Sequence, residues 1–383
     1  MTRHKSYICG MSRTLLFSLF VLLLIGCAET PSQPEQPEPV SFAETSYAEG
    51  FSIVDFHGMS CLETYTLEGE ETSLSCRVCK GIPPDTLLEV NHYLFRDSVT
   101  ITTLSTTHLA YFWKLQQLDQ VLGTAYASWV KNQEVNARLE DGRMRDISGE
   151  KNIDFEQMVD LSPDVLITYP YGGEGYEHFE ELGIVVVPFS EYLEIHPLGR
   201  AEWIKAAGWL IDQEEQANAA FAEIEARYNE AKELAANVQN RPSVFTGSND
   251  GGVWFAPSGQ SFIAQFIHDA GGSYLFSDHQ ERTNLKLDFE VLLERAMLAD
   301  YWGKVSYREE GITLESIRED DPRYASLPVF EKGQVFYCNA AKTDYFGDAI
   351  VEPEAILQDL IAILHPELKP QHTARYFQPV ELE

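Results

Sequence analysis

The chain has 383 residues, 44% of them hydrophobic, and its 60 acidic and 28 basic residues give a formal net charge of −32. A surface this acidic repels nucleic acid and anionic membranes, so we exclude nucleic-acid binding and expect a solvated acidic exterior. The length exceeds one typical hydrophobic core and predicts two domains.

The first residues have the features of an export signal. Basic residues precede an apolar run at 15–25. A run of about a dozen residues is short for a membrane span, which needs about 20, and is typical of a signal peptide. The run ends in LIGC at 24–27, which resembles the bacterial lipobox. We predict a lipoprotein signal over 1–26 and lipidation of Cys27; the alternative is an ordinary signal peptide with a chance cysteine.

A segment rich in Pro, Glu and Gln follows Cys27. It has little to bury and predicts a flexible tether over 27–45. No later segment is long and apolar enough to span a bilayer. We therefore expect an exported protein, facing the periplasm or the cell exterior, that contacts the membrane through its lipid anchor only.

Residues 46–90 form an extension to which the sequence assigns no role. They contain Cys61, Cys76 and Cys79. The CRVC spacing at 76–79 is found in metal sites, but a zinc site would need a second pair. In an oxidising compartment one disulfide among the three, with one thiol left over, is the favoured interpretation.

The first lobe is predicted over 91–197. Strand-like runs at 98–105, 163–170 and 184–190 alternate with helical patterns at 106–118, 153–162 and 175–183. The last two strand runs are almost wholly apolar, as in parallel sheets covered on both faces.

The second lobe, over 239–383, repeats a phrase of the first. Asp154-Phe155-Glu156 and Asp288-Phe289-Glu290 each begin a helix–strand unit, with apolar residues in register behind them. Further strands and helices follow, ending in a helix that begins near Pro353. The repeat predicts two lobes of related build.

Between the lobes, 198–238 predicts a long connecting helix. Its second part spaces apolar residues at steps of three and four: Phe221, Ile224, Tyr228, Ala231 and Leu234. A helix of roughly 25 residues would be about 37 Å long and could contact both lobes. A coiled coil is the alternative, but sustained heptads are missing.

The lipobox, the tether, the two lobes and the connecting helix together resemble the class III substrate-binding proteins of ABC importers. The resemblance runs from about Val90 to the C-terminus through TTLSTTHLAYFWKL, IDFEQMVDLSPDVLIT, HPLGRAEWIKAAGWL, LDFEVLLERAMLADYW and HPELKPQHTARYF. It implies an α/β fold: two Rossmann-like lobes with mostly parallel sheets joined by one long rigid α-helix. It also implies a ligand such as a ferric siderophore, haem or cobalamin.

The resemblance gives the repeated phrase a function. In the family, a surface glutamate on each lobe docks into arginine pockets of a dimeric ABC permease, and the match falls on Glu156 and Glu290. Two carboxylates on equivalent outward helices would give a two-point grip. The alternative is that each phrase only starts a helix, with Asp154 and Asp288 as caps.

A ligand cleft between two α/β lobes is lined by loops at the carboxyl ends of strands. In the first lobe this rule nominates Ser105, Thr106, Thr107, His108, Tyr169, Tyr171, Ser190, Glu191 and Tyr192. In the second it nominates Trp254, Phe255, Tyr301, Trp302, Lys342, Asp344 and Tyr345. Aromatic residues are dense among them, as expected for stacking on a large flat ligand; packing in the core is the alternative for each.

The resemblance favours capture of an iron chelate of the ferric siderophore type and its delivery to an ABC importer, with haem and cobalamin as alternatives. A ferric siderophore is often anionic and would need Arg200, Arg282 or Lys342 in the cleft, whereas haem would need an axial residue such as Tyr169, Tyr171 or His108. His108 is more often structural than a ligand. A neutral, aromatic cleft would suit cobalamin. The histidines are scattered, so we predict no free-metal site and no bound cofactor.

Two other functions remain as alternatives. A chelatase-like enzyme would need a nucleophile with its base or a cysteine cluster, and no G-x-S-x-G, H-E-x-x-H or P-loop motif is present. We therefore predict a binding protein, not an enzyme. A lipoprotein that hands its ligand to an outer-membrane receptor is the other alternative.

Overall fold

A computed structural model of the chain describes residues 40–43, 45–67, 72–81, 90–94, 98–149, 153–169, 176–369 and 371–381. The predicted signal peptide, Cys27, most of the tether and Tyr171 lie outside these residues. Residues 39–383 form one compact unit. Among the described residues, no helix combines the length and apolar character needed to cross a bilayer.

The extension at 46–90 contributes most of a five-stranded sheet. Its strands, in spatial and chain order, are β1 Val40–Ala43, β2 Phe51–Phe56, β3 Met59–Thr66, β4 Ser73–Lys80 and β5 His92–Leu94. Neighbours are antiparallel except β4 and β5. Buried residues of β2 and β3 follow one another without strict alternation, and they divide between two hydrophobic clusters.

A disulfide joins Cys61 of β3 to Cys79 of β4, where the two residues are directly paired. The prediction of one disulfide among three cysteines is confirmed. Cys76 is the buried free thiol, and its Sγ lies 3.6 Å from the carbonyl oxygen of Val186 in the neighbouring lobe. The extension therefore packs directly on the first lobe.

The first lobe alternates strands and helices around a parallel sheet. Its elements are β6 Ile101–Thr103, α1 Thr106–Lys114, β7 Val121–Thr124, α2 Gln133–Glu140, β8 Arg145–Asp146, α3 Phe155–Leu161, β9 Val165–Thr168, α4 Glu177–Glu180 and β10 Val185–Pro188. The strand order is β10-β9-β6-β7-β8, all parallel. Every residue of β9 is buried, as its unbroken apolar run predicted.

The connection between the lobes contains three helices, α5 Pro197–Glu202, α6 Ile204–Leu210 and α7 Glu214–Ala235. The long helix thus begins at 214 rather than 198. Asp212 has a positive φ of 57°, and the Gln213 amide donates to the Gly208 carbonyl at 2.8 Å. The chain turns here, and the missing side chain of Gly208 makes room for the turn. A Cβ on Gly208 would lie 2.4 Å from Ala217 Cβ.

Helix α7 contacts both lobes. Gln216 donates from Nε2 to the Leu115 carbonyl of the first lobe at 2.8 Å, and the Tyr228 hydroxyl donates to Asp269 of the second at 2.8 Å. The predicted apolar stripe is buried from Phe221 to Ala231. Leu234 is 45% exposed, and the smaller Ala235 is the last buried residue of α7.

The second lobe repeats the plan of the first with additions. Its elements are β11 Ser243–Thr246, β12 Ser248–Asp250, β13 Val253–Ala256, α8 Phe262–Asp269, β14 Ser273–Tyr274, β15 Leu285–Asp288, α9 Phe289–Ala296, β16 Tyr301–Ser306, α10 Leu314–Asp320, α11 Pro328–Glu331, β17 Val335–Asn339, α12 Pro353–Leu364 and β18 Phe377–Pro379. The main sheet has the order β14-β11-β16-β17-β18, with only β18 antiparallel, and β12-β13-β15 form a small antiparallel sheet. The predicted two-lobed α/β fold is confirmed.

The two Asp-Phe-Glu phrases begin helices α3 and α9. Asp154 caps α3 by accepting from the Gln157 amide at 3.1 Å. Asp288 makes no such side-chain cap, so that half of the capping expectation is wrong. Asp288 is the last residue of β15, where its backbone pairs with Val253.

Candidate functional site

A cavity of about 460 Å³ lies between the two lobes. Its lining residues come from the first lobe and its following loop, from α5, and from loops of the second lobe. They are Ser105, Thr107, Tyr169, Glu191, Tyr192, Leu193, Glu194, Arg200, Pro257, Ser261, Phe262, Ile263, Arg282, Thr283, Asn284, Tyr345 and Phe346. Since both lobes contribute, a ligand here would be held between them.

The first-lobe wall is built where parallel strands end. Ser105 follows β6 and caps α1 by accepting from the Thr107 amide at 3.3 Å. Tyr169 follows β9, and Glu191 and Tyr192 lie just after β10. The carboxyl edge of the sheet therefore presents hydroxyl and carboxylate groups to the cavity.

The second-lobe wall centres on the first turn of α8. Ser261 caps this helix by accepting from the Ala264 amide at 3.2 Å, which places Phe262 and Ile263 against the cavity. Tyr345 and Phe346 approach from the loop after β17. This part of the wall is mainly apolar, and Arg282, Thr283 and Asn284 add a polar segment to it.

Direct contacts join the lobes beside the cavity. The hydroxyl groups of Thr106 and Thr107 both donate to the Phe346 carbonyl at 3.0 Å. Asn132 donates from Nδ2 to the Asp348 carboxylate at 2.8 Å. Burial raises the pKa of Asp348 to about 7. These contacts set the separation of the two walls.

Two arginines reach the cavity. The guanidinium of Arg200 lies 4.0 Å from the ring centre of Phe262, and its buried Nε has no hydrogen-bond partner among the described residues. Arg282 donates to the Leu193 carbonyl at 3.2 Å and forms an ion pair with Glu49, which belongs to the N-terminal extension. The cavity thus offers positive charge, with Arg200 less engaged than Arg282.

Two carboxylates beneath the first-lobe wall are buried. Glu191 lies 3.2 Å from Nε2 of His108. Glu194 accepts from the amide of Gly50 and from Nε1 of Trp203, both at 2.9 Å. Burial raises the pKa of Glu194 to about 7.

A third buried carboxylate, Glu202, fixes the start of the extension. Its oxygens accept from the backbone amides of Ser46, Tyr47 and Ala48 at 2.8–3.1 Å. The ammonium group of Lys205 lies 2.6 Å away. Glu194 and Glu202 together hold residues 46–50 against the cavity region.

The structure brings together about half of the residues nominated from sequence. Thr107, Tyr169, Tyr192 and Tyr345 line the cavity, as do Ser105, Glu191, Arg200 and Arg282. Thr106 lies beside it through its bond to Phe346.

Three nominations fail because the side chains are in the second-lobe core or at the wrong sheet edge. Trp254 and Trp302 are fully buried, and the ring of Trp302 stacks on Phe245 with centroids 6.0 Å apart. Tyr301 begins β16 opposite Val244, at the amino edge of the sheet. The cavity lies at the carboxyl edge, so the strand rule was applied at the wrong end of β16.

The remaining nominations are engaged elsewhere. Phe255 lies within β13, and Lys342 is exposed and paired with Glu309 at 3.2 Å. His108 is fully buried beside Glu191 and does not line the cavity. Ser190 is buried and donates to the Tyr65 carbonyl, and Asp344 lies near Gly347, outside the cavity lining.

Sequence reasoning missed part of the second-lobe wall. Phe262 and Ile263 were placed in a helix but not in the site, although the first turn of such a helix faces the carboxyl edge of the sheet. Their position in the first turn could therefore have predicted them. No feature of the sequence predicts the burial of Glu194, because that burial depends on contacts with residues 49–50 and Trp203.

The fold and the cavity define a two-lobed α/β protein with an interlobe binding site. A family model described as periplasmic binding protein matches residues 101–341, more than half of the chain. The chain belongs to the periplasmic binding protein family.

Two relatives in Methanocaldococcus jannaschii are described as uncharacterized lipoproteins. One is 26% identical over 294 residues, covering 74% of this chain and 69% of its own. The other is 28% identical over 256 residues, covering 65% of this chain and 64% of its own.

Solved structures share the fold. A periplasmic haem-binding protein from Pseudomonas aeruginosa has a TM-score of 0.59 and 15% identity, covering 74% of this chain and 98% of that one. A protein of an ABC-type Fe³⁺-hydroxamate transport system from Saccharomonospora viridis has a TM-score of 0.54 and 18% identity, covering 69% and 93%. At these identities the likeness shows the fold alone.

Proposed function

We propose that the protein captures an anionic metal chelate of the ferric siderophore class in the interlobe cavity and delivers it to an ABC importer. The observation that carries the proposal is the pair of arginines, Arg200 and Arg282, in a cavity with aromatic side chains from both lobes. An anionic chelate would gain charge-assisted hydrogen bonds from the guanidinium groups and stacking from the rings. The structural likeness to a hydroxamate-transport protein supports this class.

Arg200 is the better placed of the two arginines. Its guanidinium stacks on Phe262, and its Nε is a buried donor without a partner in the described part of the chain. A buried donor of this kind gains most from an incoming acceptor, because it has already lost its water. On ligand binding, the Arg282 guanidinium would either leave Glu49 and pair with the ligand or contact both at once.

Haem is the second candidate. Tyr169, Tyr192 and Tyr345 line the cavity, and a tyrosine phenolate is a known axial ligand of haem iron. Tyr345 is the weakest of the three, since burial raises its pKa well above the ordinary value and disfavours the phenolate. The haem-binding neighbour supports the same candidate.

Delivery would use Glu156 and Glu290 as docking groups for a permease dimer. Both are exposed in the first turns of α3 and α9. Two carboxylates on equivalent helices would allow one contact with each permease subunit. We further propose that the lipid on Cys27 keeps the protein at the membrane near its permease.

A binding panel tests the function. The probes are a ferric hydroxamate, a ferric catecholate, a ferric carboxylate chelate, haem and cobalamin. The protein would begin at Ala28, which retains the whole unit at 39–383. Trp129 is 48% exposed and 6.4 Å from the ring of Phe346, so its fluorescence should report occupancy of the cavity.

We expect tight one-to-one binding of a ferric chelate and weaker binding of cobalamin. Preferential binding of haem, with an absorbance change typical of phenolate ligation, would move the conclusion to the second candidate. Absence of binding across the whole panel would contradict both.

A further inference from the structure

A second cavity, of about 290 Å³, lies inside the second lobe. We call it the second-lobe pocket. It lies between the strands β11, β16 and β17 and the helices α8 and α12. Its walls are mainly aromatic and aliphatic: Phe262, Phe266, Phe336, Ile356, Leu360 and Phe377.

The pocket adjoins the interlobe cavity. Six residues line both spaces: Pro257, Phe262, Ile263, Asn284, Tyr345 and Phe346. A ligand in the interlobe cavity therefore has the second-lobe pocket directly beside it. The shared boundary includes the ring of Phe262, on which Arg200 stacks.

Most side chains that line the pocket are apolar, and two of the polar ones, Lys304 and Thr246, are engaged within the protein. Ser248, Asn284 and Tyr345 are the other polar side chains of the lining. The ammonium group of Lys304 pairs with Asp320 at 2.8 Å, and the hydroxyl group of Thr246 lies 3.3 Å from that of Tyr274. A charged or strongly polar group entering the pocket would lose its water and meet few free partners. The pocket therefore favours an apolar guest, and an apolar cavity of this size binds one readily.

Glycine at 303 shapes the floor. A Cβ at this position would lie 2.5 Å from the ring of Phe336 and 3.1 Å from Cγ2 of Thr246. The absence of a side chain at 303 leaves room for the Phe336 ring, which lines this part of the pocket. The volume suits roughly ten non-hydrogen atoms, if each takes about the 30 Å³ of a water molecule in the liquid.

We propose that the second-lobe pocket is a subsite for an acyl chain of the ligand, whose anionic part lies against Arg200 and Arg282. The inference rests on the proposed function for the anionic part and adds the class of ligand: an amphiphilic chelate with an apolar arm. The arm would enter past Phe262 and end against Leu360 of α12.

The test uses probes that contain no metal. Butanoate, hexanoate, octanoate, decanoate and dodecanoate each carry one carboxylate for the arginines and an alkyl chain of increasing length. Titration calorimetry at submicellar concentration would give affinity and stoichiometry for each. We expect one site, with affinity rising about fourfold per methylene as the chain is buried, and levelling near decanoate.

Variants of α12 and β16 locate the chain. Leu360→Ala removes volume from the pocket wall, so the tightest-binding length should move from decanoate towards dodecanoate. Val305→Phe should move it towards hexanoate, because Val305 is a half-buried lining residue with room to carry a larger side chain. The matched control is Leu357→Ala, on the same helix and buried but outside the pocket. It should leave the optimum where it is.

Affinity independent of chain length would overturn the proposal, as would equal shifts with Leu357→Ala and Leu360→Ala. These outcomes do not depend on the chelate. If a chelate binds but the affinity for carboxylates does not change with chain length, the proposed function stands and the acyl subsite is contradicted. If affinity rises with chain length but no chelate binds, the subsite stands and the proposed function is contradicted.

Discussion

The two lobes are alike on their outer helices and unlike where they face each other. Met158 of α3 and Leu292 of α9 are both fully buried, and Glu156 and Glu290 are both exposed. At the cavity, the first-lobe wall presents hydroxyl groups and buried carboxylates. The second-lobe wall combines apolar residues at α8 and after β17 with the polar residues 282–284, and it continues into the second-lobe pocket.

The outer helices and the cavity walls of this fold would therefore serve different binding partners. Under the proposed function, a symmetric permease would need equivalent outer surfaces, which the repeat would supply. A ligand with unlike ends would need unlike walls. The N-terminal sheet also packs on the first lobe. The carboxylates of Glu194 and Glu202 hold residues 46–50, which lie just before β2. Each prediction below tests one side of this comparison.

The largest effect is expected on the outer surface. Reversing both docking charges, Glu156→Lys with Glu290→Lys, should abolish transport, because each permease subunit would meet a like charge instead of a partner. Whole-cell uptake of a labelled ferric chelate measures this. Ligand affinity, measured by titration of the purified protein, should be unchanged.

The matched control reverses two other exposed glutamates, one on each lobe: Glu181→Lys with Glu331→Lys. Uptake should persist in this variant. If the docking variant retained uptake, or lost affinity for the ligand, the likeness of the outer helices would reflect folding alone.

The next effect concerns the attachment of the N-terminal sheet. Glu202→Ala should lower the free energy of unfolding by about 3–5 kcal/mol, because it leaves the half-buried Lys205 ammonium and three backbone amides without their acceptor. Denaturant unfolding monitored by circular dichroism measures the loss. Glu225→Ala, which removes the 2.7 Å partner of the Tyr47 hydroxyl, should cost only about 1 kcal/mol.

Equal losses in the two variants would mean that the buried carboxylate is not the main attachment of residues 46–50. The first lobe would then hold its extra sheet through packing of β2 and β4.

The lobes and most strands were predictable because their signals are local. The apolar runs containing β9 and β10 have no polar alternation, which only a doubly covered strand tolerates. The breaks before and after α6 were not predictable from periodicity, since the turn at Asp212 depends on the close approach of Gly208 to Ala217. The five-stranded sheet was missed because its pairing is set by contacts between strands.

Some residues of the candidate site were likewise predictable from the sequence and others were not. Thr107, Tyr169 and Tyr192 follow strand ends directly, so chain order alone placed them at the cavity. Trp254 and Trp302 share their aromatic character with true lining residues, and only burial by Phe245 and Tyr324 distinguishes them. Residue type could not make that distinction.

A smaller effect is expected at the cavity. Arg200→Gln should weaken binding of an anionic chelate about tenfold to a hundredfold, or about 1.5–3 kcal/mol, through loss of a charged hydrogen bond. Arg145→Gln is the control, since Arg145 is an exposed first-lobe arginine paired with Asp160. Unchanged affinity in Arg200→Gln would mean that the Arg200 guanidinium does not contribute to binding of the anionic chelate.

The smallest effect is a pH dependence of stability. Burial raises the pKa of Glu194 to about 7 from its ordinary value of about 4.5, so its contribution to stability is fully present below about pH 4.5. It is lost as the pH rises towards 7, because the buried carboxyl must ionise. Unfolding free energies should therefore fall by about 1–2 kcal/mol between about pH 5 and 7 through this group.

Glu194→Gln should flatten that fall without removing it. Asp348, whose pKa burial also raises to about 7, loses its contribution in the same direction and is untouched by the substitution. Asp348→Asn keeps an acceptor for Asn132 and should remove a further part of the fall. Some pH dependence should remain, because burial also raises the pKa of Asp344 and lowers the pKa values of His92 and His196. If Glu194→Gln left the slope unchanged, the amides of residues 49–50 and the Trp203 indole would be holding Glu194 ionised. The first-lobe wall would then carry a permanent negative charge, and binding of an anionic ligand would depend more heavily on Arg200.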